Sequence, residues 1–548
     1  MNTVDLLFFH DANQVITKRY KKVNGRRCSS RGGVSVRRMA AAWGAVVAVT
    51  MCLLGAALPT AAGNTFCPAS CNCDDDKLVV SCIEANLNVV PITLNPAIQQ
   101  LVLQYNKVKS VDAAFQFYSQ LQFVDLSHNN LVTIPNKSFQ FQFKLVQLHL
   151  SHNKISQISN KTFEGLKQLT ILNLRGNYLE DLPDKLFSIL SQLEQLDLGQ
   201  NRISRIDSEA FAGLISLRVL YLDDNQLRIV PTPSFLPLGS LAELKVGLNS
   251  FTLLPDDSFK GLNRLSILDL TGAGLVNTSE NAFRGLIVLR NLVLVDNKLT
   301  KIPTKQLGVL TRLEELSIGQ NDFTALEANA FTGLKKLRKL DVSAAPFLER
   351  VEKGALADNL NLESLILYSN KKLKSLEDGA LEGLPHLRHL VLRDNAFETF
   401  SESLVAWPEL HKLDLSENPI NCGCSLLWLR ELLLARRNVS QVLCGAPPNL
   451  REKPLKTLKD DELGCSMHGA RQQAIIGAIC GVVVALAAVL GILLYTYRRQ
   501  VHGLLKDCQW NKRVMSSKES EYQKTFSEDD FVIRSGQAQG LKIPVTEL

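Results

Sequence analysis

The chain has 548 residues and a formal net charge of +7, but this charge is unevenly distributed. Residues 1–38 contain nine Lys or Arg against two Asp, an excess that equals the whole net charge, so the rest of the chain is neutral. This excludes binding to nucleic acid through a bulk basic surface. Nucleophile-elbow, phosphate-loop and metalloprotease motifs are also absent, so the sequence predicts neither an enzyme nor a bound cofactor.

Residues 1–62 are predicted to be a basic leader followed by a secretory signal peptide. Two arginines precede an apolar run at 40–58, and small residues suited to cleavage follow at 60–63. Met39 lies directly before the run, and we expect it to be the effective start. An uncleaved anchor is the alternative, but the cysteine-rich segment that follows directly favours cleavage.

Eight of the twelve cysteines form two groups of four, in the segments 63–97 and 419–466. Behind a signal peptide, even groups of cysteines predict disulfides. Zinc is the alternative, but the C-x-C spacings and the oxidising compartment favour disulfides, and no metal site is predicted. The cysteines are Cys67, Cys71, Cys73 and Cys82 in the first group and Cys422, Cys424, Cys444 and Cys465 in the second.

Between the two groups, over residues 98–418, one nine-residue pattern recurs about fourteen times. LVQLHLSHN ends at Asn153, and LTILNLRGN, LEQLDLGQN and LRVLYLDDN follow at intervals of 24 residues. The pattern L-x-x-L-x-L-x-x-N with this period is the leucine-rich repeat. Two copies carry Ala273 and Ala345 in place of the final Asn, which we call the ladder Asn.

The repeat predicts a solenoid. Leucines that alternate along a short strand point to one side, and one repeat cannot bury them alone, so neighbouring repeats stack and share a core. We expect a parallel β-sheet on the concave face, irregular or short helical segments on the convex side, and a disulfide-linked cap over each open end. Fourteen strands would span roughly 65 Å at their usual spacing.

Residues six, four and two positions before each ladder Asn should face outward from the concave sheet. Most of these positions are polar, but Ile366, Tyr368 and Val391 stand together, flanked by His389 and Arg393. Exposed apolar residues that include an aromatic side chain are typical of a partner-binding surface. The alternative is that β-branched residues simply suit strands.

Three histidines gather on two adjacent turns, with a carboxylate nearby. His128, His149 and His152 could hold zinc together with Asp125. His128 and His152 are one repeat apart and share the position before the ladder Asn, which favours ordinary surface histidines.

Four N-x-S/T sequences predict N-glycosylation, at Asn136, Asn160, Asn277 and Asn438. Asn136 and Asn160 each fall seven residues after a ladder Asn and therefore beyond the strand. Their glycans would shield that flank and leave the concave face open.

After a short stalk at 467–474, residues 475–497 form an uncharged run that is long enough to span a membrane. Basic residues follow it, which predicts that the tail at 498–548 is cytoplasmic and that the protein is a type I plasma-membrane protein. The tail is too short for a signalling domain of ordinary size. Thr546 and the terminal Leu548 fit a ligand for a PDZ-domain adaptor, although so short a match also arises by accident.

The two cysteine groups resemble the N-terminal and C-terminal caps of extracellular leucine-rich-repeat proteins. In those caps the first cysteine pairs with the third and the second with the fourth. The resemblance therefore implies the pairs Cys67–Cys73, Cys71–Cys82, Cys422–Cys444 and Cys424–Cys465, which spacing alone leaves open.

The single span, the caps, the repeats and the tail segment EYQKTFSEDD together resemble the insect Tartan and Capricious family. The resemblance extends to NLRGN at 173–177 and DLSENP at 414–419. It implies a cell-surface recognition and adhesion protein, with roles in neuronal target selection and compartment boundaries. Its partner would be a protein on a neighbouring cell, either the same protein or a different one. The alternative is an innate-immune or growth-factor co-receptor or decoy.

Overall fold

One sheet of sixteen short strands forms the spine of the computed structural model, which describes residues 67–111, 113–436, 440–465 and 467–498. The predicted signal peptide, Asn438 and the tail with Thr546 and Leu548 lie outside the described residues. The strands are Asn72–Asp74, Val79–Ser81, Gln100–Val102, Phe123–Asp125, Gln147–His149, Ile171–Asn173, Gln195–Asp197, Val219–Tyr221, Glu243–Lys245, Ile267–Asp269, Asn291–Val293, Glu315–Ser317, Lys339–Asp341, Ser364–Ile366, His389–Val391 and Lys412–Asp414.

Strand order follows chain order, with the first pair antiparallel and the later pairs parallel. The last fourteen strands each belong to one predicted repeat. Leu196, Leu220 and Leu244 lie in register on adjacent strands, and each is fully buried. Their neighbours along the strand face outward, as the period of two requires. The predicted leucine-rich-repeat solenoid is confirmed.

The convex side consists of short elements packed over a core of phenylalanines. Phe163, Phe187 and Phe211 stack one turn apart, with ring centroids 6.0 and 6.3 Å from each other. Parts of the convex side are irregular or briefly helical, as predicted, but it also carries seven two-residue strands that pair in parallel between turns, which the prediction did not include. Its elements are the strands Asp181–Leu182, Arg205–Ile206, Leu253–Leu254, Asn277–Thr278, Ala325–Leu326, Arg350–Val351 and Ser375–Leu376, the helices Thr232–Phe235 and Thr304–Gly308, and the 3₁₀ turns Ala113–Phe117, Glu402–Leu404 and Trp407–Glu409.

Each ladder Asn joins two consecutive turns through its side-chain amide, which is buried at every ladder position but the partly buried Asn249. The Asn201 amide nitrogen donates to the Leu174 and Leu198 carbonyls at 3.1 and 3.0 Å. Its Oδ1 accepts the Leu179 N–H at 3.1 Å. Backbone groups that the curved chain would leave unpaired are satisfied in this way. At Ala273 the residue's own carbonyl takes over part of this role, because it accepts the Phe251 N–H at 2.8 Å.

Replacing one ladder Asn should therefore destabilise the solenoid. We expect Asn201→Ala to lower the free energy of unfolding by about 2 kcal/mol, since it leaves buried backbone donors and acceptors without partners. Urea denaturation of the full chain in detergent, followed by circular dichroism, measures the change. The control Asn263→Ala removes an exposed convex Asn and should cost less than about 0.5 kcal/mol. Equal values for the two variants would contradict the role of the ladder.

Two disulfide-linked caps close the ends of the solenoid. At the second cap, Leu429 and Leu433 of the helix Leu427–Ala435 are buried, and Trp428 lies 5.2 Å from Trp407 between ring centroids. The cap also contains the strands Ile420–Asn421 and Cys444–Ala446 and the 3₁₀ turns Cys424–Leu426 and Leu455–Thr457. The disulfides within the described residues are Cys67–Cys73 and Cys71–Cys82 in the first cap and Cys422–Cys444 and Cys424–Cys465 in the second.

Among the residues that the structure describes, one helix, Met467–Thr496, is long and apolar enough to cross a membrane over Ala474–Tyr495, where the mean hydropathy is 2.8. The helix starts before the apolar run, so the segment predicted as a stalk is itself helical. Leucine, valine and alanine without an interrupting proline allow it to continue for 30 residues.

Candidate binding surface on the concave face

The candidate partner-binding residues lie on two adjacent strands near the end of the sheet. Ile366 and Val391 are paired in register, and both are partly exposed on the outward face. Tyr368 follows its strand by two residues and keeps 41% of its surface exposed. We call Ile366, Tyr368 and Val391 the concave patch. The structure therefore brings the three apolar residues together.

Arg393 lies beside the concave patch, next to Tyr368. Its guanidinium carbon lies 5.8 Å from the Tyr368 ring centroid, and its Nη2 donates to Glu417 Oε1 at 2.5 Å. The hydrogen bond to Glu417 raises the pKa of Arg393. Arg393 thus stays charged and positioned beside the tyrosine ring. His389 is exposed on the same strand as Val391 and lies in register with Ser364 and Lys412.

Polar residues frame the concave patch on both sides. Asp341 pairs in register with Ile366 and is hydrogen-bonded to Ser343. On the far side, Asp414 pairs with Val391 and accepts the Ser416 hydroxyl at 2.6 Å. Because these carboxylates are already partnered, the apolar side chains between them are the groups that gain most from losing water.

A second cluster, which sequence reasoning missed, lies in the middle of the face. Arg175 forms a bidentate pair with Asp223, at 2.8 and 3.3 Å, and also approaches Asp197 at 3.5 Å. The Arg175 side chain passes over Gly199. A Cβ added to Gly199 would lie 2.2 Å from Arg175 Nη1, so only glycine leaves room for this side chain. Burial raises the pKa of Asp197 despite the nearby guanidinium. The sequence does carry a signal for this pair, because Arg175 and Asp223 have opposite charges and stand at the same repeat position two turns apart.

Beside this cluster, Tyr221 donates its hydroxyl to Glu243 Oε1 at 3.1 Å, and the Lys245 ammonium lies 4.6 Å from the Tyr221 ring centroid. Burial, followed by the negative charge of Glu243, raises the pKa of the Tyr221 hydroxyl. The polar groups of Tyr221, Glu243 and Lys245 therefore find their partners within this cluster. This part of the face therefore holds a set of mutually paired polar side chains, which the concave patch lacks.

His128 and His152 stack face to face, with ring centroids 4.4 Å apart, and Tyr105 stacks on His128 at 4.3 Å. Each stands before a ladder Asn, where the chain turns with positive φ and aims the side chains at one edge of the sheet. Lone pairs of stacked rings lie in parallel planes and do not converge on one ion. Within the ranges that the structure describes, no group of three His, Cys, Asp or Glu is placed to hold a metal.

We expect His149 to make the stability of the solenoid depend on pH. It is partly buried on the concave face, beside Asp125, and burial lowers its pKa below the ordinary 6.5. Because the folded state then binds fewer protons than the unfolded chain, the free energy of unfolding should fall as the pH drops below about 6.5.

Denaturation of the full chain between pH 7.5 and pH 5 tests this dependence. Burial also lowers the pKa of His152, so we expect His149→Gln to reduce the loss of stability without abolishing it. An unchanged pH profile in that variant would contradict the assignment.

Three of the four predicted glycosylation residues, Asn136, Asn160 and Asn277, are exposed and lie beyond the concave strands. The Ser159 hydroxyl donates to Asn136 Oδ1 at 2.5 Å, which links the first sequon to the residue that precedes the second, on the neighbouring turn.

The solenoid, its caps and its open concave surface define a leucine-rich-repeat protein. Comparison with known families agrees, because the leucine rich repeat model matches residues 119–179, 167–227, 239–299, 287–346 and 360–420. These matches cover just over half of the chain. The chain therefore belongs to the leucine-rich repeat family.

Individual relatives match only part of the chain. The high affinity nerve growth factor receptor of Rattus norvegicus is 36% identical over 98 residues, which are 18% of this chain and 11% of that receptor. Platelet glycoprotein IX of Homo sapiens is 32% identical over 120 residues, 21% of this chain and 68% of glycoprotein IX. The chain thus spans about a tenth of the receptor and about two thirds of the glycoprotein.

Among solved structures, the Drosophila Toll–Spätzle complex includes a chain that matches with a TM-score of 0.50 and 18% identity. The match covers 67% of this chain and 61% of that one. At this identity the similarity shows the fold alone.

Proposed function

We propose that the protein is a single-pass cell-surface receptor that recognises a protein on a neighbouring cell through its concave face. The observation that carries this proposal is the concave patch of Ile366, Tyr368 and Val391, which lie side by side on a face whose outward positions are mostly polar, flanked by His389 and Arg393. Tyrosine and arginine are among the residues that contribute most to the binding energy of protein interfaces.

The shape of the surface favours a protein partner over a small molecule. Small ligands bind in enclosed pockets that bury most of their area, whereas the concave patch lies open on a sheet. The proposed role is therefore binding without catalysis. The names of the nerve growth factor receptor and of the Toll–Spätzle complex, both of which describe proteins that bind protein ligands, support the same direction.

The membrane arrangement is also part of the proposal. A signal peptide within 1–62 would carry the caps and repeats, at 63–97, 98–418 and 419–466, to the cell exterior. The span at 475–497 would then leave the tail at 498–548 in the cytoplasm, because basic residues follow the span. There the segment that contains Thr546 and Leu548 would bind a PDZ-domain adaptor by adding a strand to the edge of its sheet.

The resemblance to the Tartan and Capricious family supports a narrower role, in neuronal target selection and in keeping cell populations apart. The second candidate is a co-receptor or decoy for innate-immune or growth-factor ligands.

A cell-mixing assay tests the proposal. Non-adhesive cells that express the full chain are mixed with sister cells, with blank cells, and with cells that display candidate surface proteins. Clusters among expressing cells alone would mean that the protein binds its own kind. Clusters only with a second population would mean a different receptor. Absence of clusters with every population would favour the co-receptor and reject adhesion.

A further inference from the structure

An apolar patch interrupts one polar row on the convex side of the solenoid. This row, which we call the flank, contains the short strands Leu253–Leu254 and Asn277–Thr278. Ile229 and Leu253 occupy equivalent positions on neighbouring turns and expose 74% and 44% of their surface. The turns before them carry an ion pair at that position, Arg205 with Asp181, at 3.2 Å. The position four residues after the ladder residue is occupied on six successive turns by Asp181, Arg205, Ile229, Leu253, Asn277 and Lys301.

Asn277 lies beside this flank patch in a defined register. The strand Asn277–Thr278 pairs with Leu253–Leu254, so that Asn277 and Leu253 face outward together while Leu254 and Thr278 are buried. Asn277 Oδ1 accepts the Thr278 N–H at 2.8 Å. In the part of the chain that the structure describes, the Asn277 amide nitrogen, which is the atom that would carry a glycan, donates no hydrogen bond.

We propose that Asn277 carries an N-linked glycan whose first sugars lie over Leu253 and Ile229, so that carbohydrate covers this flank and no protein partner binds there. Ile229 is two turns from Asn277, about 10 Å at the usual strand spacing, which is within the length of the first sugars. The C–H faces of sugar rings pack well on aliphatic side chains. An exposed apolar patch otherwise promotes association, and a glycan is bulky and solubilising.

The inference rests on the proposed extracellular orientation, which brings the sequons to the glycosylation machinery. Asn160, which stands seven rather than four residues after its ladder residue, provides a comparison within the same chain. It is also exposed, but its equivalents on the neighbouring turns are Asn136 and Asp184, so a glycan there has only polar neighbours at that position.

The experiment measures how fast peptide-N-glycosidase releases each glycan from the folded full chain, purified in detergent from secretory cells. Release converts Asn to Asp, and mass spectrometry in heavy-oxygen water resolves the sites. We expect release from Asn277 to be several-fold slower than release from Asn160. In the double variant Ile229→Ser, Leu253→Ser the two rates should become equal, because the sugars lose their apolar support. Both substituted residues are exposed, so the fold should be unaffected.

The outcomes separate this inference from the proposed orientation. A glycan at Asn160 without one at Asn277 would overturn the inference alone. The same holds if the Asn277 glycan is released at equal rates from the variant and the unsubstituted chain. Absence of glycans from all three sites, Asn136, Asn160 and Asn277, would overturn the orientation and the inference together.

Discussion

Cells that express the double variant Tyr368→Asp, Val391→Asp should no longer cluster with their partner population, although as much protein should reach the surface as before. Val391 faces outward from its strand and Tyr368 is exposed just after the end of the neighbouring strand, so neither side chain supports the core. In a complex the new carboxylates would be buried without partners. A cost of about 2 kcal/mol for each would weaken binding by roughly 1,000-fold.

Cluster counts measure adhesion, and flow cytometry of the same cells measures surface delivery. Val293→Asp is the matched control, because Val293 holds the same position in its repeat as Val391 and is also partly exposed. The control should cluster normally. Normal clustering by the double variant would reject the concave patch. Loss of clustering in both variants would mean that the interface is not confined to the concave patch and also covers Val293.

The second large effect should come from Gly319→Ala, which we expect to destabilise the solenoid by roughly 3 kcal/mol. A Cβ at Gly319 would lie 2.0 Å from the Ser343 carbonyl oxygen and 2.7 Å from the Ser343 nitrogen. That carbonyl also accepts the Gln320 N–H at 2.9 Å. Two turns must therefore separate to admit one methyl group, and the hydrogen bond that joins them must lengthen.

Denaturation of the full chain and the fraction that reaches the cell surface both measure this effect. Gly239→Ala is the control, because Gly239 faces open space and is not held at positive φ. Its stability should change by less than about 0.5 kcal/mol. If the two variants were equally stable, the neighbouring turns would have to be more compliant than the close approach at Gly319 indicates.

The periodic part of the fold was predictable because one residue type repeats where one physical need repeats. Leu196, Leu220 and Leu244 are buried in register because each strand must bury its inward face. The concave patch was also predictable, since its members follow from counting back from the ladder Asn. The disulfide pairs were different, because spacing alone allows several pairings and only the resemblance to known caps selected one.

What sequence reasoning missed depends on contacts that skip a turn or on backbone groups. The Arg175–Asp223 pair reaches across the intervening turn, over Gly199, and a pattern read one repeat at a time does not reveal it. The Ala273 carbonyl accepts the hydrogen bond that a ladder Asn side chain would accept. Because every residue has a backbone carbonyl, the residue type does not predict this role. The stacking of His128 on His152 required the shared positive φ of the two residues.

The position of the concave patch along the sheet determines how mechanical load would pass through the molecule. The strands of Ile366 and Val391 are the third from last and the second from last. A partner that pulls there would transmit tension to the membrane helix through about three turns, roughly 15 Å of sheet. The Cys422–Cys444 and Cys424–Cys465 bonds lie directly beyond those turns. Tension would therefore bypass the first eleven repeats, and the segment that bears it ends in the covalently braced cap.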